Sequence, residues 1–164
     1  MPALETQDVA DLAARLGARA RADRFTVAVA ESLTGGLLSS SLARSEGAAE
    51  WFRGGVVAYV SQVKFDVLDV RPGPVVTEAA ARQMAEGVAR LLDADVALAT
   101  TGVGGPDPEE DQEPGTVWLA ARAVGHNAGA DSTLTRLELF GGDPDAICLA
   151  SCRSAIELAL ELTG

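Results

Sequence analysis

The sequence predicts an α/β fold: three layers, α/β/α, built on a mixed, mostly parallel five-stranded sheet. Short apolar runs alternate with segments of helical periodicity over the first hundred residues, as in a sheet covered by helices. The early runs are apolar at consecutive positions, which strands buried on both faces require. The last two runs are joined by a connection too short for a crossover, so that pair is antiparallel.

Residues 3–22 place Val9, Leu12, Ala13, Leu16 and Ala20 at helical spacing. FTVAVA (25–30) reads as a buried strand, ESLTGG (31–36) as a turn, and LLSSSLARS (37–45) as a helix ending before Gly47. GGVVAYV (54–60) is a second strand, and the turn and short helix over 61–69 carry Lys64. A helix over 77–92 opens at Thr77, a favourable N-cap, with Glu78 in its first turn. DVALATT (95–101) is a third strand. The stretch 102–115 is too rich in Gly, Pro and acid for regular structure, and 105–114 is expected to be its most mobile part. GTVWLAARAV (115–124) and STLTRLELF (132–140) flank a turn containing His126, and a helix over 143–162 follows. With no internal repeat or linker, residues 1–164 read as a single domain.

Hydrophobic residues make up 48 % of the 164 positions and aromatic ones 4 %, so the core is built from Ala, Val and Leu. The formal net charge of −11 argues against a nucleic-acid partner and against docking on an anionic membrane. A single phosphate held by backbone N–H groups stays compatible with it. No signal peptide or membrane span is evident, and Cys148 and Cys152 read as small hydrophobes in a reducing cytoplasm.

Three strand ends carry unusual residues, and ligands of such sheets collect beyond the carboxyl ends of the strands. In Glu31-Ser32-Leu33-Thr34-Gly35-Gly36, Ser32 sits at a tight turn, and the helix start that follows offers N–H groups to an anion or oxyanion. Taken alone, Ser32 or Thr34 reads equally as a helix cap. In the second, Tyr59 ends a strand and Lys64 follows in a turn. A neutral, buried lysine can activate a serine without histidine, although alone it reads as a surface lysine beside a half-buried core tyrosine. Lys64 is the only lysine of the chain. The third, Thr100-Thr101-Gly102-Val103-Gly104-Gly105-Pro106, can wrap a phosphate or ribose, or can be a flexible loop. It is neither a Walker A loop nor a dinucleotide fingerprint. With His126 the sole histidine, a Ser–His–Asp triad and a zinc site are both disfavoured, and no metal is expected. The acidic run Glu109, Glu110, Asp111 and Glu113 reads as a solvated loop.

Together these segments resemble the C-terminal domain of the CinA family (competence/damage-inducible proteins), the nicotinamide-nucleotide amidohydrolases, in stand-alone form. The matching blocks are ESLTGG (31–36), FRGGVVAYVSQVK (52–64), VVTEAAARQMAEG (75–87), ALATTGVGGP (97–106) and GTVWLA (115–120). The resemblance implies deamidation of nicotinamide mononucleotide to nicotinate mononucleotide and ammonia, with no cofactor, on an α/β/α fold in a homo-oligomer. It implies Ser32 as nucleophile, with Tyr59 and Lys64 as its partners. Thr34, Gly35 and Gly36 would help bind the oxyanion, and Thr101, Gly102, Gly104 and Pro106 would bind the nucleotide substrate.

The chain departs from the family pattern where cations are usual. Pro144 and Cys148 stand where the family has arginines, and Gln112-Glu113-Pro114-Gly115-Thr116 stands where it has Lys-Pro-Val-Gly-Thr. If those cations hold the substrate phosphate, nucleotide would bind weakly or another substrate would be used, with Arg136 or Arg53 as candidate substitutes. The second reading is a degenerate member that binds a nucleotide or a protein partner without turnover.

Overall fold

The computed structural model describes residues 3–125 and 129–164. His126, expected in a hairpin turn, lies outside the described residues. The elements run α1 (Ala3–Asp23), β1 (Val27–Glu31), α2 (Leu37–Ala43), α3 (Ala48–Trp51), β2 (Phe52–Val57), α4 (Ser61–Leu68), α5 (Glu78–Leu92), β3 (Val96–Gly102), β4 (Thr116–Ala123), β5 (Ser132–Leu139) and α6 (Pro144–Thr163).

The five strands form one sheet in the order β2-β1-β3-β4-β5. β1 pairs in parallel with both β2 and β3, while β3–β4 and β4–β5 are antiparallel. Four of the five strands therefore run the same way, and the expected mixed α/β/α architecture is the one observed.

The two faces of the sheet differ in residue size. Val27, Val29, Val96, Leu98, Val117 and Leu119 face α1, α2 and α6. Ala28, Ala30, Ala97, Ala99 and Ala120 face α4 and α5. β1 and β3 are apolar over Val27–Ala30 and Val96–Ala99, as their sequence indicated, but alternate large with small because successive side chains point to opposite faces. Small residues let α5 lie close to the sheet.

α3 is absent from the expected element order. This single turn buries Trp51, whose ring lies where a Cβ on Gly17 of α1 would meet it at 2.8 Å. Four residues are too short to register as a hydrophobic period. β2 starts and ends earlier than expected, at Phe52 and Val57, so Ala58–Val60 lead out beyond the sheet toward α4. Thr77 caps α5, its hydroxyl accepting from the Ala80 N–H at 3.1 Å. Asp143 caps α6 in the same way, with Pro144 opening the helix.

Candidate active site

β1 runs parallel to β2 and β3, so the segments following all three strands meet at one edge of the sheet. Glu31 is paired with Val57 on one side and Thr100 on the other. Ser32, the next residue, donates its N–H to the Thr100 carbonyl at 3.0 Å. Topology thus gathers the three candidate strand ends around Ser32.

Glu31 organises the turn that carries Ser32. Its side chain is fully buried, and a carboxylate there requires donors. One oxygen accepts from the Thr34 hydroxyl (2.6 Å) and the N–H groups of Gly36 (3.1 Å) and Leu38 (3.0 Å). The other accepts from the N–H and the hydroxyl of Ser39, at 2.8 and 2.6 Å. Thr34, whose proton points to Glu31, accepts from the Thr100 hydroxyl at 2.9 Å. Gly35 and Gly36 have φ of +56° and +104°, which their lack of a side chain permits. This corrects one expectation: the start of α2 is not free for an oxyanion, because the chain's own carboxylate fills it. The N–H groups of Leu33 and Thr34 make no hydrogen bond within the described residues, and they are the donors of this turn left for an incoming oxygen.

Ser32 is 7 % exposed, and its hydroxyl makes no hydrogen bond to Lys64 or Tyr59. Lys64 is 1 % exposed, not the surface residue its type suggests. Its ammonium donates to the carbonyls of Ala58 (2.7 Å) and Tyr59 (3.2 Å). Ala58 in turn donates its N–H to the Glu31 carbonyl at 2.7 Å, which sets the Lys64 anchor beside the Ser32 turn. Burial pushes the Lys64 pKa below the usual lysine range; the charges of Glu110 and then Glu109 act against that shift without cancelling it. Tyr59 supplies Lys64 with a backbone carbonyl, while its ring is 68 % exposed. The expected half-buried tyrosine is therefore a surface residue, since β2 ends before it.

The third strand end divides its residues between packing and the site. The Thr101 hydroxyl is buried and donates to the Val75 carbonyl at 2.8 Å. Gly102 belongs to β3, where a Cβ would meet the Thr116 carbonyl oxygen at 2.5 Å. Gly104 lies over the Ser32 turn, its Cβ direction 3.7 Å from Leu33. Pro106 is exposed and follows a cis peptide bond.

The acidic loop is not simply solvated. The Glu110 carboxylate accepts the Val75 N–H at 2.9 Å and the Val76 N–H at 2.8 Å. Glu109 and Gln112 exchange backbone hydrogen bonds at 3.1 and 2.8 Å. Arg53 binds the Asp93 carbonyl and carboxylate near the start of β2, the opposite end of the sheet. Arg136 binds Ser154 and Glu161 on α6. Neither replaces a cation at the site. Cys148 donates its thiol to the Leu33 carbonyl at 3.1 Å, and burial raises both cysteine pKa values. No group of three His, Cys, Asp or Glu suited to a metal ion occurs among the described residues, and no helix there is long and apolar enough to cross a membrane.

Reading the sequence by motif did not assign Glu31 its role. An acid directly after an apolar buried run was the available signal. Glu110 had no such signal, because its partners lie 34 and 35 residues away.

A family model, the CinA C-terminal domain, matches residues 9–163. The chain is 43 % identical over 138 residues to a "CinA-like protein" of Frankia casuarinae, covering 81 % of this chain and 30 % of that one. It is 34 % identical over 165 residues to "Protein YdeJ" of Escherichia coli, covering 97 % and 92 %. It spans about a third of a Geobacillus kaustophilus competence-damage inducible relative as well (33 %). Among solved structures, a competence damage-inducible protein A of Klebsiella pneumoniae superposes with a TM-score of 0.87 at 31 % identity, over 94 % of this chain and 96 % of that one. A competence/damage-inducible protein of Agrobacterium tumefaciens gives 0.88 at 30 %, over 96 % of each. The chain belongs to the CinA C-terminal domain family.

Proposed function

We propose that this protein is an amidohydrolase in which Ser32 attacks a carboxamide and Lys64 is the base. The observation carrying this reading is the burial of the chain's only lysine on carbonyls that adjoin the Ser32 turn. Burial favours the neutral amine that a base requires. Lys64 Nζ takes the Ser32 hydroxyl proton as Oγ bonds to the carboxamide carbon. The N–H groups of Leu33 and Thr34 meet the developing oxyanion. The C–N bond breaks, the proton passes from Lys64 to the departing nitrogen, and ammonia leaves an acyl-serine. Water, deprotonated by Lys64, cleaves the ester to acid and free Ser32. Tyr59 acts through its carbonyl, holding Lys64, and its ring is open to the substrate. The resemblance favours nicotinamide mononucleotide as the amide. The protein acts in the cytoplasm as a homo-oligomer, without a cofactor.

Ammonia release with this nucleotide tests the reading. Ser32→Ala abolishes release, and Lys64→Met lowers kcat by about 10²–10⁴-fold with the fold intact. The rate of the parent rises with pH as Lys64 loses its proton, at a pH below the ordinary lysine range, and Lys64→Met removes that limb. Burial lowers the folded-state pKa, so stability is penalised at low pH and gains as pH climbs toward the unfolded lysine value of 10.5. Turnover retained in Ser32→Ala would refute the nucleophile. The second reading, binding without turnover, draws on the absent cations; binding of the amide with no ammonia release is its signature.

A further inference from the structure

On the amidase reading above, the N–H groups of Leu33 and Thr34 receive the oxyanion, and the carbonyls that share their peptide planes set their aim. In a trans peptide the C=O and N–H point in opposite directions, so fixing one fixes the other. The Leu33 N–H shares its plane with the Ser32 carbonyl, which accepts the Gly35 N–H at 3.0 Å. That plane is held from within the turn. The Thr34 N–H shares its plane with the Leu33 carbonyl, which accepts no backbone N–H among the described residues. What holds this carbonyl is the Cys148 thiol, which donates to it at 3.1 Å from α6. The following carbonyl, that of Thr34, is again held locally, by the Leu37 N–H at 2.9 Å.

We infer that Cys148 is a positioning residue for the Ser32 reaction: its thiol clamps the Leu33–Thr34 peptide and so aims the Thr34 N–H at the developing oxyanion. The clamp comes from a rigid element. Ile147 and Leu149, on either side of Cys148, are buried in the core that α6 shares with Leu33. Cys148 itself is partly buried, and burial, then the charges of Asp145 and Glu31, raises its thiol pKa. The thiol therefore keeps the proton that it donates. It is a weak donor, so its effect is that of a clamp on a peptide plane and smaller than that of an oxyanion donor itself. Position 148 is also one where the family pattern has an arginine, so this clamp belongs to this chain.

Three variants separate a clamp from packing, each read by ammonia release from nicotinamide mononucleotide. Cys148→Ser keeps a donor of similar size, Cys148→Val keeps the volume without the donor, and Cys148→Ala keeps neither. We expect kcat to fall about three- to tenfold in both Cys148→Val and Cys148→Ala, with KM within about twofold of the parent, and to stay within about twofold in Cys148→Ser. Pyridine-3-boronic acid, whose boron binds the Ser32 oxygen as a tetrahedral anion, should lose affinity in Cys148→Val and Cys148→Ala by the same factor as kcat. A kcat at the parent level in Cys148→Val, a Cys148→Ser no better than Cys148→Ala, or a fall in kcat with unchanged boronic acid affinity overturns the clamp and leaves the amidase reading standing. No ammonia from the parent protein overturns both.

Discussion

The turn after β1 and the loop after β3 are each held by a single carboxylate that accepts backbone N–H groups, yet the two carboxylates do different physical work. Glu31 is fully buried and gathers five donors from residues 34–39, all within eight positions of itself. Glu110 is exposed and reaches across the fold to Val75 and Val76. A buried charge without its donors is costly, whereas an exposed one can turn to water. Glu31 therefore belongs to the framework that shapes the Ser32 turn. Glu110 belongs to an adjustable rim, where charge can change without loss of the fold.

The same substitution at both positions breaks this comparison most directly. In Glu31→Gln, both carboxylate oxygens face donors, so the amide NH2 meets N–H or O–H groups in either orientation. We expect a loss of about 3 kcal/mol by urea denaturation, with activity falling alongside. Within the second region, Gly102→Ala forces a Cβ to 2.5 Å from the Thr116 carbonyl oxygen and should cost about 1–3 kcal/mol. Gly104→Ala, which meets Leu33 only at ordinary contact distance, should change stability by about 0.5 kcal/mol or less. Glu110→Gln should be comparably mild, about 0.5 kcal/mol, because one amide oxygen can accept from both Val75 and Val76 while the NH2 turns outward. Equal losses in Glu31→Gln and Glu110→Gln would erase the distinction between framework and rim.

Much of this was legible from residue order. Apolar runs such as Val27–Ala30 and Val96–Thr100 marked their strands because a strand covered on both faces has no polar side to display. Thr77 marked the start of α5 because a short polar side chain satisfies an N–H that a helix leaves open. Trp51 in its single turn was not legible, since its burial depends on Gly17 of another helix. Tyr59 was misjudged because nothing local says that β2 ends at Val57.

The sequence by itself determined which segments become strands and helices, and which strand ends carry Ser32, Lys64 and the glycines, because periodicity and turn chemistry act over a few residues. Only the tertiary structure decided that Lys64 is buried on Ala58 and Tyr59, and that Glu31 fills the start of α2. It also decided that Glu110 closes on Val75 and Val76, and that Arg53 and Arg136 lie away from Ser32. Those outcomes depend on which backbone donors and carbonyls from distant segments arrive at the same place, and on how much water the surrounding packing excludes.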